Sequence, residues 1–255
     1  MNNKLPNTID EVIDTLEHII QECIQNNDPS GYFAALYQKV TIKVKEGIEN
    51  NYFDDGERME QLDVLFANRY IEAWVAYKSK SPMTLSWQKA FDLSSNYWPI
   101  VLQHMLMGMN AHINLDLGIA AAEVSREKMI ADLQDDFNRI NEILSSLIHD
   151  VQDDLSTVWP ALKFILKWTG KVDDYLVDFS MKLARDGAWK FGNKFFSTTN
   201  SDVDACLKDR DLRVADKTSV ILQPGLIASA VLSIVRLTER GTVSEKIGKL
   251  KRTSE

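Results

Sequence analysis

The residues of this sequence best suited to chemistry lie in one apolar stretch, HMLMGMNAHINLDLGIAAAE, at residues 104–123. His112 and Asp116 are four residues apart, so on a helix their side chains share one face. His104 and Glu123 return to nearly the same strip at roughly 100° per residue. An imidazole beside a carboxylate can ligate a metal ion, or the carboxylate can orient the imidazole as a general base.

The same pattern has a structural interpretation. Asp116 can accept a hydrogen bond from His112, with both side chains satisfied inside the core. The HxxxD spacing alone leaves three alternatives: a divalent metal site built from His104, His112 and Asp116, a polar site without metal, and a buried network. Asn110 and Asn114 form a second pair on another face, and we expect Asn110 to contribute to ligand binding.

The stretch LFANRYIEAWVAY, residues 65–77, repeats the pattern of polar residues in an apolar helix. Arg69 and Glu72 are three residues apart and can form an exposed ion pair, which contributes little to stability. In the alternative, Arg69 is buried and clamps Asp116 or an anionic group of a substrate. Trp74 lies on the same stretch and is the aromatic side chain that we expect to line a ligand pocket.

Two further polar residues border the apolar face of the helix predicted after residue 125. Asp136 and Asn141 flank the apolar positions Phe137, Ile140 and Leu144. If this helix packs antiparallel to the preceding one, either residue can complete a cluster with His112 and Asp116.

Composition excludes several classes of function. The net charge of −8 disfavours nucleic acid as a partner, because phosphate binding needs clustered Lys and Arg. Cys23 and Cys206 form no CxxC pair, so we expect two reduced thiols in a cytoplasmic protein. The longest apolar run, residues 225–235, is too short to span a bilayer, so no transmembrane segment is expected.

The fold class follows from periodicity. With 11 glycines and 6 prolines, and apolar residues at three- and four-residue spacing almost throughout, the chain is predicted to be all-α. We expect a single compact domain of about eight to ten helices over residues 1–240. The segment after about residue 170 is an alternative subdomain, and the basic tail 241–255 is expected to fray.

Three stretches, LMGMNAHINLDLGIA, FANRYIEAW and DDFNRINEIL, resemble a bacterial family of helical proteins catalogued as a domain of unknown function. The resemblance covers about the first two thirds of the chain, and its NAHINLDL core is fairly specific. It implies an all-helical domain and supports a site at Arg69, Asn110, His112 and Asp116, without implying a reaction.

His112 and Asp116 also resemble the HxxxD zinc pair of zinc-dependent phospholipase C and the related single-strand nucleases, which are all-helical. Those enzymes need several more histidines and an N-terminal tryptophan ligand, whereas this chain has four histidines and begins Met1-Asn2-Asn3. The resemblance therefore implies at most one or two metal ions, such as zinc, in a carboxylate-rich shell.

These features support two hypotheses. In the first, the protein is a hydrolase with a small-molecule pocket between central helices: His112 is a ligand or base, Asp116 orients it or ligates, Arg69 binds an anionic group, and Asp136 or Glu72 is the second carboxylate. In the second, it is a non-catalytic helical protein that binds a small ligand, anionic or apolar, or a partner, and the polar strip fixes helix register. Exposure discriminates, because a catalytic site must open to a cleft.

Overall fold

The computed structural model describes residues 4–140, 142–143, 181–223 and 225–251, except for the side chains of 181–183 and 227–228. Every regular element in these ranges is helical, which confirms the predicted all-α class. The first six helices are α1 (Ile9–Asn26), α2 (Gly31–Glu49), α3 (Gly56–Ser79), α4 (Leu85–Asp92), α5 (Val101–Ala111) and α6 (Leu117–Glu123). The remaining helices are α7 (Met181–Phe196), α8 (Val203–Asp216), α9 (Thr218–Leu222), α10 (Leu226–Thr238) and α11 (Val243–Lys251).

Short elements complete the described fold. Two 3₁₀ turns span Leu93–Ser95 and Ile130–Leu133, and residues 134–140 are helical. A π-helical turn, His112–Asp116, joins α5 to α6.

The first helix shows how local sequence sets an element boundary. The Thr8 hydroxyl accepts a hydrogen bond from the Glu11 backbone N–H, and the Asn7 N–H donates to the Glu11 carboxylate. These bonds satisfy backbone donors that a helix start leaves free. The helix ends at Asn27, which has a left-handed φ of 51°. Its apolar face then packs against α2 to form the first layer of the core.

The centre of the domain is the continuous run α5–π turn–α6. Within the turn the Leu117 N–H donates to the His112 carbonyl, a spacing of five residues instead of four. A π turn inserts one extra residue into a helix and is frequent at functional sites. The run is enclosed by α2 and α4 at its first half and by α3 and α7 at its second.

Two glycines allow this close packing. A Cβ on Gly108 would lie 2.3 Å from the Phe33 ring, so only glycine lets α2 place that ring against α5. A Cβ on Gly118 would lie 2.7 Å from the Ala188 carbonyl oxygen, so α6 and α7 also cross at backbone distance.

The C-terminal part of the described chain is a packed helix. Val243–Lys251 forms α11, which packs against α1 and α2. Ile247 and Leu250 are buried, and Lys246 donates to the carboxylate of Glu239. Apolar contacts through Ile247 and Leu250 and the ion pair of Lys246 with Glu239 therefore hold the helix against the core. Among the described helices, none is long and apolar enough to cross a membrane.

Candidate functional site

The centre of the candidate site is the carboxylate of Asp116. One oxygen accepts from Arg69 Nε at 3.3 Å, and the other accepts from Trp87 Nε1 at 2.7 Å and His112 Nδ1 at 3.2 Å. The Asp116 side chain is 1% exposed. These four residues, which we call the central network, connect α3, α4 and the π turn around one buried charge. A buried carboxylate with three donors is a satisfied group.

His112 is enclosed by aromatic rings. Its imidazole stacks on the Phe66 ring with centroids 3.5 Å apart and an interplanar angle of 7°. Tyr37 meets it edge-on at 4.5 Å. Burial lowers the pKa of His112, against the raising effect of its bond to Asp116, so the imidazole is neutral at pH 7.

The bond to Asp116 also assigns the tautomer of His112. A carboxylate only accepts hydrogen bonds, so Nδ1 carries the proton and Nε2 carries a free lone pair. Within the described residues Nε2 is buried and has no hydrogen-bond partner. Chemically, the arrangement is that of a carboxylate-oriented base, but His112 is only 2% exposed.

Arg69 connects the network to the surface. Its side chain is 25% exposed, and it covers Asp116 from the solvent side. Glu72 lies on the exposed side of α3; burial raises its pKa, while Arg69 lowers it and Glu123 raises it. Of the two alternatives for Arg69, the structure therefore shows the second, in which its guanidinium donates to Asp116.

Asn110 and Asn114 lie on the opposite face of the central run and bind α8. Asn110 Nδ2 donates to the Val214 carbonyl at 2.9 Å, and its Oδ1 accepts from Asn114 Nδ2 at 3.2 Å. Lys217 Nζ donates to Asn114 Oδ1 at 3.0 Å. The central run therefore has two polar faces, and Asn110 belongs to the one that docks α8.

Of the three residues predicted to ligate metal, His112 and Asp116 are in contact, but His104 does not join them. His104 contacts Tyr32 edge-on at 5.7 Å, and burial, then Arg236 and Lys246, lower its pKa to about 3. Among the described residues, no group of three or more His, Cys, Asp or Glu side chains could hold a metal ion. His104 precedes His112 by eight residues, which is about 12 Å along the helix axis, so a shared face does not bring the two side chains into contact.

Other predicted site residues lie elsewhere. Asp136 is buried and accepts from the backbone N–H groups of Asp54 and Asp55 at 2.8 and 2.9 Å, so it anchors the loop before α3. Trp74 is 1% exposed and packs on Phe91 with ring centroids 5.8 Å apart. Asn141 falls outside the described residues.

Sequence reasoning missed Trp87 and Phe66 as members of the site. Trp87 was one of several tryptophans near the stretch, and nothing in spacing alone distinguishes it from Trp74. Phe66 precedes Arg69 by three residues, so helical spacing places both toward the same neighbour. That spacing is the signal that could have identified Phe66.

Asp63 was also missed. It lies on α3, 6% exposed, and its Oδ2 has no partner in the part of the chain that the structure describes. Burial, and then the charge of Glu60, raise the pKa of Asp63 to about 8. Burial, and then this carboxyl group, raise the pKa of Tyr37. A second buried carboxyl group, that of Asp63, therefore lies near the central network, and this one is neutral at pH 7.

Comparisons with known proteins identify the family of this chain. No curated protein matches the chain, and no solved structure matches it. Residues 9–224 match the family described as Family of unknown function (DUF5995). This span extends beyond the first two thirds of the chain and includes the central network and the face that binds α8. The chain therefore belongs to this family.

Proposed function

We propose that this protein is a non-catalytic helical ligand-binding protein, in which the central network is a structural support for the π turn. The observation that carries the proposal is closure: the side chains of His112 and Asp116 are 2% and 1% exposed. The Asp116 carboxylate already accepts three hydrogen bonds. A substrate that reached this carboxylate would have to displace a donor and open the aromatic enclosure.

Binding at another place is supported by a cleft that opens to solvent between α7 and α8. Ligand pockets are concave and contain a few converging polar groups. The cleft has such groups, whereas the central network is sealed. The proposal therefore separates two roles, support at the centre of the fold and binding at its side.

The test is the substitution His112→Phe, which keeps a ring stacked on Phe66 and removes the imidazole. We expect the helical circular dichroism spectrum to persist, with a loss of about 1 kcal/mol because Asp116 loses one donor. A panel of chromogenic phosphomonoester, phosphodiester, carboxyl ester and amide substrates gives the functional measurement. We expect no turnover by the wild type above the background of the variant.

The second candidate function is a hydrolase that uses His112 as general base, with Asp116 orienting it and Arg69 binding an anionic group. The specific observation in its favour is the free lone pair at His112 Nε2. Hydrogen bonds at catalytic sites often form fully only with substrate present. Turnover by the wild type that disappears in a folded His112→Phe variant would replace the binding proposal with this one.

A further inference from the structure

The cleft between α7 and α8 is formed by two helical stripes that face each other. Lys190, Phe191 and Lys194 line it from α7, and Asp209, Arg210 and Arg213 line it from α8. Both sets recur at three- and four-residue spacing, so each is one face of its helix. The volume of the cleft is about 240 Å³, below the roughly 300–1,000 Å³ of pockets for drug-sized ligands. We call this site the basic cleft.

The basic cleft is positively charged, whereas the protein as a whole is negatively charged. Four cationic side chains and one carboxylate line it, although the whole chain carries −8. The carboxylate, Asp209, is already bound by Arg213 at 2.8 Å. Lys190 and Lys194 are exposed, and neither ammonium group has a partner among the described residues. Like charges four residues apart on a helix repel each other, so the cluster has an electrostatic cost without a bound anion.

Arg210 is held in place before any ligand arrives. Its Nε donates to the Asn114 carbonyl at 2.8 Å, and its guanidinium lies over the Phe191 ring, 5.0 Å from the centroid. Its Nη2 is buried and has no partner within the ranges that the structure describes. This Nη2 lies 3.7 Å from where a Cβ on Gly187 would be, so it sits at the wall of the cleft. A positioned guanidinium with a free donor is suited to an oxyanion.

We infer that the basic cleft binds a small phosphorylated molecule, whose phosphate lies between Lys190 and Lys194 and against the guanidinium of Arg210. A phosphomonoester carries between one and two negative charges with three acceptor oxygens at pH 7. It therefore matches three unpaired cations better than a carboxylate does. The inference deepens the proposed function by naming its ligand class, and it involves no residue of the central network.

Titration calorimetry with glycerol 3-phosphate and inorganic phosphate tests the inference, with glycerol at equal ionic strength as the control. The variants are Lys190→Gln and Lys194→Gln, because both side chains are exposed and unpartnered, so folding is preserved. Lys208→Gln is the matched control, since Lys208 is an exposed residue of α8 outside the cleft. We expect saturable binding to the wild type, weakened roughly three- to tenfold by each cleft variant and unchanged by Lys208→Gln.

Cysteine alkylation gives an independent measurement. Cys206 lines the cleft and is 8% exposed, whereas Cys23 is fully buried, so neutral iodoacetamide should react first at Cys206. We expect glycerol 3-phosphate to slow this reaction in the wild type but not in Lys190→Gln, and Cys206→Ser identifies the labelled thiol.

Three results would overturn the inference: no saturable binding, equal weakening by Lys208→Gln, or binding only to vesicles that contain phosphatidic acid. The last would assign the phosphate to a lipid headgroup. Failure here leaves the His112→Phe result unaffected, so failure of the ligand class and failure of the binding function remain distinguishable.

Discussion

The central network and the basic cleft differ in how completely their charged groups are paired. At the centre, one carboxylate is sealed from water and accepts from three donors. In the cleft, four cations share one carboxylate, and that carboxylate is used by Arg213. The first arrangement is complete within the chain. The second becomes complete when an anion is added, which is why we assign support to one region and binding to the other.

The two regions meet at the π turn. Its His112 and Asp116 belong to the network, and its Asn114 carbonyl accepts from Arg210 of the cleft. The two regions therefore show that burial and the completeness of hydrogen bonding, rather than residue type, distinguish a supporting polar cluster from a binding one.

The largest expected effect is that of Asp116→Asn. The amide keeps one acceptor oxygen and turns an N–H group toward donors, so a buried donor is left unpaired. We expect a loss of about 2–4 kcal/mol in the free energy of unfolding, measured by urea denaturation.

The matched substitution in the open region is Asp209→Asn. Its ion pair with Arg213 joins side chains that are 49% and 69% exposed, so we expect a loss of less than about 1 kcal/mol. Equal losses from the two substitutions would remove the distinction between a sealed and an open region.

The pH dependence of stability provides the second prediction, through Asp63. Because its pKa is raised to about 8 in the folded protein, the native state holds a proton that the unfolded state releases above its ordinary pKa near 4. Stability therefore falls as pH rises from about 4 to 8. The lowered pKa values of His104 and His112 act oppositely, because below about 6.5 the unfolded state takes up more protons.

Asp63→Asn isolates the contribution of the acid, since the amide keeps the shape and cannot ionise. We expect the melting temperature of this variant to fall less between pH 7 and 8 than that of the wild type. Thermal scanning fluorimetry measures both. A wild-type melting temperature that is independent of pH in this range would show that Asp63 ionises normally in the fold.

Asn114→Ala tests the connection between the two regions. It removes the side-chain bonds to Asn110 and Lys217 but keeps the backbone carbonyl that accepts from Arg210. We expect a loss of about 1–3 kcal/mol with phosphate binding retained. Loss of phosphate binding at unchanged stability would instead place Asn114 in the ligand site.

Periodicity carried the prediction of the fold, because apolar spacing and sparse glycine report directly on helices. It also placed His112 beside Asp116, since that contact is local along the chain. It did not separate Trp87 from Trp74, because the choice depends on how α4 crosses the central run. The spacing argument failed for His104 because it considered only the angle around the helix, whereas eight residues also separate His104 from His112 by about 12 Å along the axis.

The basic cleft escaped sequence reasoning for a related reason. In the sequence, Lys190 and Lys194 are typical of the solvent-exposed face of a helix, and so are Arg210 and Arg213 on the next helix. Only the crossing of α7 and α8 brings the two faces together. The net charge of −8 disfavours nucleic acid as a partner, but net charge does not describe how charge is distributed over the surface.

The smallest predicted effect has the opposite sign to the others. Lys194→Gln should stabilise the ligand-free protein by about 0.2–0.5 kcal/mol, because it removes one of two like charges four residues apart and no carboxylate lies three or four residues from Lys194. Lys208→Gln should not stabilise, since Asp204 and Asp211 lie four residues before and three after Lys208 on α8. Urea denaturation at low and high salt measures both, and the gain should shrink as salt screens the repulsion. Destabilisation by Lys194→Gln without ligand would mean that this lysine already has an attractive partner in the cleft, and the cleft would then resemble the central network.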